Sequence, residues 1–339
     1  MIDKKALNAG EDSANAHIRF AVLVLLCCQN AGHALLTRYS RGVLKETYSS
    51  TEVVLVGEAI KFVVSGYLAL MDRSETDAQG SGLYKLIWLI INSRKVVVLV
   101  VLYAMSNLLS YYALARVDAS AYTVLLQLKI LTTAGFAVVI LGRAITSAQW
   151  RALLLLVLGC VLVASPAYNR PVECGEDGEL KPLQDHNVSS FETVLGFGAI
   201  LVMNAISGFA SIYFESMLKK QGEKVTIWER NFQLAFCSLW LLIGVVSYDA
   251  YVEPSTESST FFAGWTANTV MIALIQAGGG LLVAATLKYA DSILKTLATS
   301  GSIVLSAIFG HILLNGKLDI FIVIGCMSTI LAICNYTFE

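Results

Sequence analysis

Lys129 stands in the stretch LLQLKILTTA (125–134), inside an almost unbroken apolar run from Ala119 to Leu141. About eleven residues separate it from the start of that run, roughly 16 Å along a helix, which is mid-depth in a bilayer. A Lys at such depth costs about 2.5–3.5 kcal/mol to insert, and its stem is too short to reach the surface easily. The default reading is a group that faces a water-filled cavity or a buried partner and serves an anion or ion path. Costly groups recur on other apolar runs. Glu58 and Lys61, three apart in VGEAIKFV, share one side of a helix, where they either neutralise each other or serve a ligand. Tyr103, Asn107, Tyr111 and Tyr112 decorate a third run, and Tyr122 and Gln127 accompany Lys129 on the fourth. Asn204, Ser207 and Tyr213 lie on the sixth, Asn231 and Gln233 open the seventh, and Lys295 begins the ninth. Lys295 is only four residues beyond Asp291, so snorkelling to the surface is the alternative to a ligand role.

Fixed cations, amides and aromatic rings together suit a ligand that is anionic, partly planar and rich in hydroxyls. A nucleotide joined to a sugar has all three properties. Ammonium groups meet phosphate as compact charges. Ring faces stack on a base. Amides read ribose, base edge or sugar. Taken singly, each Tyr or Asn serves equally well as a bond between helices. The four histidines (His17, His33, His186, His311) are scattered, and neither paired carboxylates nor metal-ligand spacing appears, so the sequence expects neither an enzyme nor a cofactor.

The elements that must carry these residues are membrane helices. Apolar types make up 56% of the 339 residues and charged types 14%, against about 25% charged in an ordinary soluble domain. Ten apolar runs reach spanning length, near 18–36, 53–71, 96–115, 119–141, 150–167, 194–214, 232–248, 270–287, 293–314 and 320–336. In lipid they must be helical, because every backbone group needs an internal partner. GLYKLIWLII (82–91), ahead of the third, is short and amphipathic and reads as an interfacial helix. The glycines of AGGGLL (277–282) permit close helix approach in the eighth run. Six of the seven cysteines sit in apolar runs, so no disulfide framework is implied. Net charge is −1, which argues for no nucleic-acid partner. The first sixteen residues are polar and mixed in charge, unlike a cleavable signal peptide.

An even number of spans puts both termini on one side. That side carries fifteen Lys and Arg, Lys85 and Arg230 among them, and the other side seven, which makes the termini cytosolic. The long loop then faces the opposite compartment with its sequon Asn187-Val188-Ser189, while Asn335-Tyr336-Thr337 sits at the cytosolic end. A weak repeat relates ALARVDASAY (113–122) to ATLKYADSIL (285–294), with Asp118 and Asp291 both placed as helix N-caps. Chance likeness of short polar turns is the other explanation. The expected architecture is an all-α integral membrane protein, ten transmembrane helices as two inverted five-helix repeats around a central cavity. Its parts would be a cytosolic tail (1–17), a first half (18–167), a lumenal loop (168–193), a second half (194–336) and a cytosolic end (337–339).

LLQLKILTTA and KYADSILKTLATSGSIVLS resemble signatures of nucleotide-sugar transporters of the drug/metabolite transporter superfamily, the branch that moves CMP-sialic acid, UDP-galactose and UDP-N-acetylglucosamine. EAIK, ALARVDASAY, SGFASIYFE and WERNFQ match in order, so the resemblance covers roughly 18–336. It implies exchange of a cytosolic nucleotide sugar for a lumenal nucleoside monophosphate by a multi-pass antiporter of the Golgi membrane, by alternating access. It implies that Lys129 and Lys295 contact phosphate, and that Tyr103, Asn107, Tyr122, Ser207 and Asn231 face substrate. Gln127, Tyr213, Glu58 and Lys61 complete the candidate set from the residue reading. Partners are then the nucleotide sugar, the nucleoside monophosphate and the bilayer, with a homodimer allowed for. Where CMP-sialic acid carriers show Ser or Thr after the paired glycines, this chain has Val283 and Ala284. A carrier of another phosphorylated or small organic metabolite is the alternative.

Overall fold

The structure is a computed structural model. It describes residues 4–72, 82–117, 119–164, 173–174, 180–181, 190–219, 225–252, 261–314 and 319–338. The helices in order are α1 (Lys4–Gly42), α2 (Ser50–Met71), α3 (Gly82–Ile91), α4 (Arg94–Leu114), α5 (Ala119–Leu126), α6 (Lys129–Leu141), α7 (Ser147–Ala164), α8 (Ser190–Lys219), α9 (Ile227–Val252), α10 (Ala267–Tyr289), α11 (Ser292–Leu314) and α12 (Ile320–Phe338). Between α7 and α8 a two-residue antiparallel pair joins β1 (Glu173–Cys174) to β2 (Leu180–Lys181). Ten helical stretches are long and apolar enough to cross a bilayer, with α5 and α6 forming one of them. The protein is a helical membrane protein, with ten spans among the described residues. Its outward faces are apolar: Val63, Val139 and Leu313 are 68%, 80% and 66% exposed. Glu215, Glu229, Asn231 and Gln233 are fully buried, the reverse of a soluble domain.

Helix limits exceed several expected spans. α1 continues back to Lys4, so the polar N-terminal stretch is helical, and α9 runs from Ile227 to Val252 rather than 232–248. The sequon Asn187 and the cap position Asp118 lie outside the described residues. Asp291 does cap α11: its Oδ1 accepts the Leu294 N–H at 2.8 Å. Buried Glu215 of α8 supports the same helix end by accepting the Ser292 N–H at 2.8 Å.

The chain divides into two compact units, each discontinuous in sequence. The first holds Met1–Val101 and Tyr213–Gly310, and the second Leu102–Ile212 and His311–Glu339. In the first unit α1 packs on α10, and α2 on α9 and α10. Small residues set these approaches. A Cβ on Gly57 would sit 3.4 Å from the Ala273 carbonyl, and one on Gly66 would sit 3.2 Å from the Phe232 ring, which itself stacks on Phe62 at 4.7 Å. In the second unit α7 and α12 meet through Gly159 and Gly325, where a Cβ on either would fall 2.8 Å or less from the opposing helix.

One end of the first unit is tied by two carboxylates, Glu46 in the α1–α2 loop and Glu52 in the first turn of α2. Glu46 accepts Ser40 Oγ at 2.6 Å and Thr266 Oγ1 at 2.5 Å, and Glu52 accepts Trp265 Nε1 at 3.0 Å. Gly264 makes the turn into α10 with φ +72°, a conformation that costs a side chain, and it lies against Thr47. The hydroxyls of Ser40 and Thr266 hold the Glu46 carboxyl below its ordinary range. A depressed carboxyl stabilises the fold above its unfolded pKa and loses that contribution as pH falls through the folded value. The melting difference between wild type and Glu46→Gln is therefore expected to stay constant through neutral and mildly acidic pH. It should narrow only below the ordinary glutamate titration near about pH 4.3, as thermal unfolding across a pH series would read.

One charge of α3 is not where the sequence placed it. Its outer face is apolar, as an interfacial helix requires, but Lys85 is 5% exposed and cannot count among the surface charges that orient the chain. Lys85 Nζ lies 3.0 Å from Glu229 of α9 and donates to the Ala69 carbonyl at 2.7 Å. Arg230, 4% exposed, is likewise no surface charge. Removing both leaves thirteen against seven in that charge comparison.

Candidate functional site

The second unit carries Tyr103 and Asn107 on α4, Tyr122 on α5, Lys129 at the start of α6, Gln127 just before it, and Ser207 on α8. The fourth span is tightened at QLK. α5 ends at Leu126 and α6 begins at Lys129. Between them Gln127, Leu128 and Ile130 donate to carbonyls three residues back, each at 3.1 Å. A 3₁₀ turn inside a span marks a hinge or a strained site, and carriers commonly place binding groups at such interruptions. α8 holds this turn. Asn204 Nδ2 donates to the Leu125 carbonyl at 2.8 Å, and Thr132 Oγ1 donates to the Asn204 carbonyl at 3.0 Å. Gly208 lets the helices close, because a Cβ there would stand 2.9 Å from Thr132 Oγ1 and 3.0 Å from the Thr133 amide. The Lys129 carbonyl is occupied by Thr133 Oγ1 at 2.8 Å.

With its backbone so engaged, Lys129 has only its ammonium to offer. The side chain is half-buried, and among the described residues no carboxylate pairs with it. Tyr122 is half-buried, and its hydroxyl bonds to Ser110 Oγ at 2.6 Å, beside the cluster of Ala113, Val117, Ala199, Ile200 and Met203. It presents a fixed ring rather than a loose one. Tyr103, Gln127 and Ser207 are half-buried, and Asn107 is exposed.

The first unit carries Glu58 and Lys61 on α2, Tyr213 at the end of α8, Asn231 on α9 and Lys295 on α11. Glu58 and Lys61 do pair, at 2.6 Å, with side chains 19% and 7% exposed. The stem of Lys61 lies over Gly280: a Cβ there would be 2.9 Å from Lys61 Cδ. Gln29 of α1 covers Gly279 in the same way and donates to the Ile275 carbonyl at 2.9 Å. The glycine cluster thus makes room for two polar side chains, beyond letting helices approach. Glu58 Oε2 and Asn231 Oδ1 are buried and take no protein hydrogen bond. Tyr213 donates to the Lys95 carbonyl at 3.3 Å, near the start of α4. Lys295 is half-buried, one turn past Asp291. The turn at QLK, the supporting Gly208 and the Gln29–Gly279 contact were not foreseen from the sequence. The spacing Asn204–Ser207–Gly208 on one polar helix face was the available signal for the first two.

A family model described as "Nucleotide-sugar transporter" matches residues 14–337. The chain belongs to the nucleotide-sugar transporter family. It is 34% identical over 302 residues to the rat UDP-N-acetylglucosamine transporter, covering 88% of each chain. It is 32% identical to the UDP-N-acetylglucosamine/UDP-N-acetylgalactosamine transporter of Caenorhabditis elegans, over 98% of this chain and 96% of the relative. With the UDP-galactose transporter of Schizosaccharomyces pombe it shares 32% identity, over 94% and 88%. A solved crystal structure superposes with a TM-score of 0.61 at 16% identity, over 96% and 97% of the two chains, a likeness of fold alone. These relatives are carriers, and this family member is a multi-pass membrane transporter rather than an enzyme.

Proposed function

We propose that this transporter exchanges a cytosolic UDP-sugar for a lumenal nucleoside monophosphate across the Golgi membrane, by alternating access, with both termini in the cytosol. The named activities of the relatives favour UDP-N-acetylhexosamine or UDP-galactose over CMP-sialic acid. The observation that carries the reading is Lys129: a half-buried ammonium at a tightened turn in mid-span, with no carboxylate beside it among the described residues. An anion must supply the missing charge, and a phosphate does so. The family resemblance gives Lys295 the same phosphate role. Tyr103, Tyr122 and Tyr213 offer ring faces, and Asn107, Gln127, Ser207 and Asn231 offer donors and acceptors to ribose, base and sugar. The Glu58–Lys61 pair offers both signs of charge to hydroxyls. An empty site keeps Lys129 uncompensated, which penalises reorientation without cargo and favours strict exchange.

The test uses purified protein reconstituted in liposomes. Uptake of labelled UDP-N-acetylglucosamine or UDP-galactose should require UMP inside, and external UMP should compete. Uptake indifferent to internal nucleotide would overturn the exchange. Failure of CMP, UMP, GMP and AMP alike to compete would overturn the substrate class.

A further inference from the structure

The fourth span owes its interruption to one side chain of α8. Asn204 is 1% exposed, and its Nδ2 donates to the Leu125 carbonyl at 2.8 Å. That carbonyl also accepts the Leu128 N–H at 3.1 Å. A carbonyl oxygen has two acceptor positions, and both are then filled. In a continuous α-helix the same oxygen would take the Lys129 N–H instead. Asn204 therefore competes directly with helix continuation at the residue that carries the ammonium. α8 also fixes the half-helices on either side of the turn. On the α5 side, Tyr122 and Leu125 pack against the cluster that holds Ile200 and Met203. On the α6 side, Thr132 Oγ1 donates to the Asn204 carbonyl at 3.0 Å, and the Phe136 ring meets the Phe209 ring edge-on at 5.8 Å.

The interruption sets a direction. A 3₁₀ turn advances about 120° and 2.0 Å per residue, an α-turn about 100° and 1.5 Å. Over three residues the two forms differ by about 60° of rotation and about 1.5 Å of length. Lys129 stands at the end of the turn, so the difference is carried to its side chain and swings the ammonium, on its long stem, round the helix axis. Asn204 is a costly choice for packing alone. Its Oδ1 is sealed and takes no hydrogen bond among the described residues. An orphaned buried acceptor weakens a fold, and a leucine of similar size has none. We propose that Asn204 is a positioning residue of the transport site, which locks the fourth span in its interrupted form and so aims the Lys129 ammonium at the substrate phosphate. This rests on the phosphate role given to Lys129 in the exchange reading. Asn204 itself acts through the backbone of Leu125 and not by touching substrate.

The experiment measures the affinity of the full-length protein in detergent for UMP and for UDP-N-acetylglucosamine, from thermal shifts titrated into the millimolar range. Asn204→Leu removes the donor and the orphaned acceptor together and keeps the size. It should weaken both ligands by the same factor, about tenfold, because one hydrogen bond decides the form of the turn and phosphate is common to both. Thr132→Val, which removes the bond from α6 to the Asn204 carbonyl, should weaken both about threefold, and it keeps the proposal open to test where Asn204→Leu does not fold. The deciding readout is the double variant. In a Lys129→Ala background, Asn204→Leu should change affinity by less than about twofold, since the group it aims is gone. A residue that only supports the fold would cost the same factor in either background, and that result overturns the proposal. Wild-type affinity in both Asn204→Leu and Thr132→Val overturns it as well, whatever their melting temperatures. The two readings fail separately. If Lys129→Ala binds UMP like wild type, the phosphate role falls and takes the positioning with it. If Lys129→Ala binds weakly and Asn204→Leu binds like wild type, the positioning falls alone.

Discussion

Lys129→Ala is expected to weaken nucleotide binding severely while leaving the empty protein at least as stable as wild type. The two halves of that result have one cause. An ammonium at mid-depth is costly to hold, about 2.5–3.5 kcal/mol on insertion scales, so its removal relieves the empty fold. In the proposed site the same ammonium would make a charge-assisted contact to phosphate, typically worth about 1.5–3 kcal/mol, so affinity should fall by roughly ten- to a hundredfold or more. At a ligand concentration near a hundred times the wild-type Kd, wild type gains about 2.7 kcal/mol, and a variant weakened a hundredfold gains about 0.4 kcal/mol. Thermal unfolding with and without UMP reads both numbers. The backbone roles of residue 129, as acceptor for Thr132 and Thr133, survive the substitution, which isolates the side chain. A structural lysine behaves in the opposite way. If the empty variant melts much earlier and still gains the full shift with UMP, Lys129 is holding the fold and the phosphate assignment is wrong.

What the sequence disclosed and what it hid follow from the range of the forces involved. Span number was legible because the bilayer filters on local composition, and each apolar run carries its own signal. The Glu58–Lys61 pair was legible because three residues of helix fix its geometry. The turn at QLK was not, since LLQLKI holds no Pro or Gly and would run on as helix by itself. The turn persists because Asn204 and Gly208, some eighty residues away, take up the Leu125 carbonyl and admit Thr132. Lys85 was misread for the same reason. The amphipathic period of GLYKLIWLII correctly gave a helix with one polar position, and that position was assigned to water. Its partner is a carboxylate on α9, and no local pattern could report it. The make-up of the two units is likewise a matter of long-range packing, since each draws its helices from two separate stretches of the chain.

That hidden pair yields the largest stability effect expected outside the transport site. In the wild type, Lys85 joins Glu229, whose side chain is 0% exposed, and also reaches the carbonyls of Ala69 and Asp72 at the end of α2. One ammonium thus gathers α2, α3 and α9. Lys85→Ala would leave a sealed carboxylate without its ammonium, while the Thr226 amide still donates to it. Breaking one partner of a buried ion pair costs about 3–5 kcal/mol, far more than the pair's net contribution to the intact fold. Glu229→Gln alone should cost less, because the stranded Lys85 ammonium keeps the Ala69 and Asp72 carbonyls as acceptors and the amide can still accept from Thr226. Combining Lys85→Met with Glu229→Gln should recover most of what Lys85→Ala loses, since the stem of Met fills the same path without a charge to satisfy. The comparison is made by heating the four proteins in detergent and following the monodisperse fraction. Equal losses for Lys85→Ala and the double variant would mean that packing of the lysine stem, and not charge, holds α3 in place.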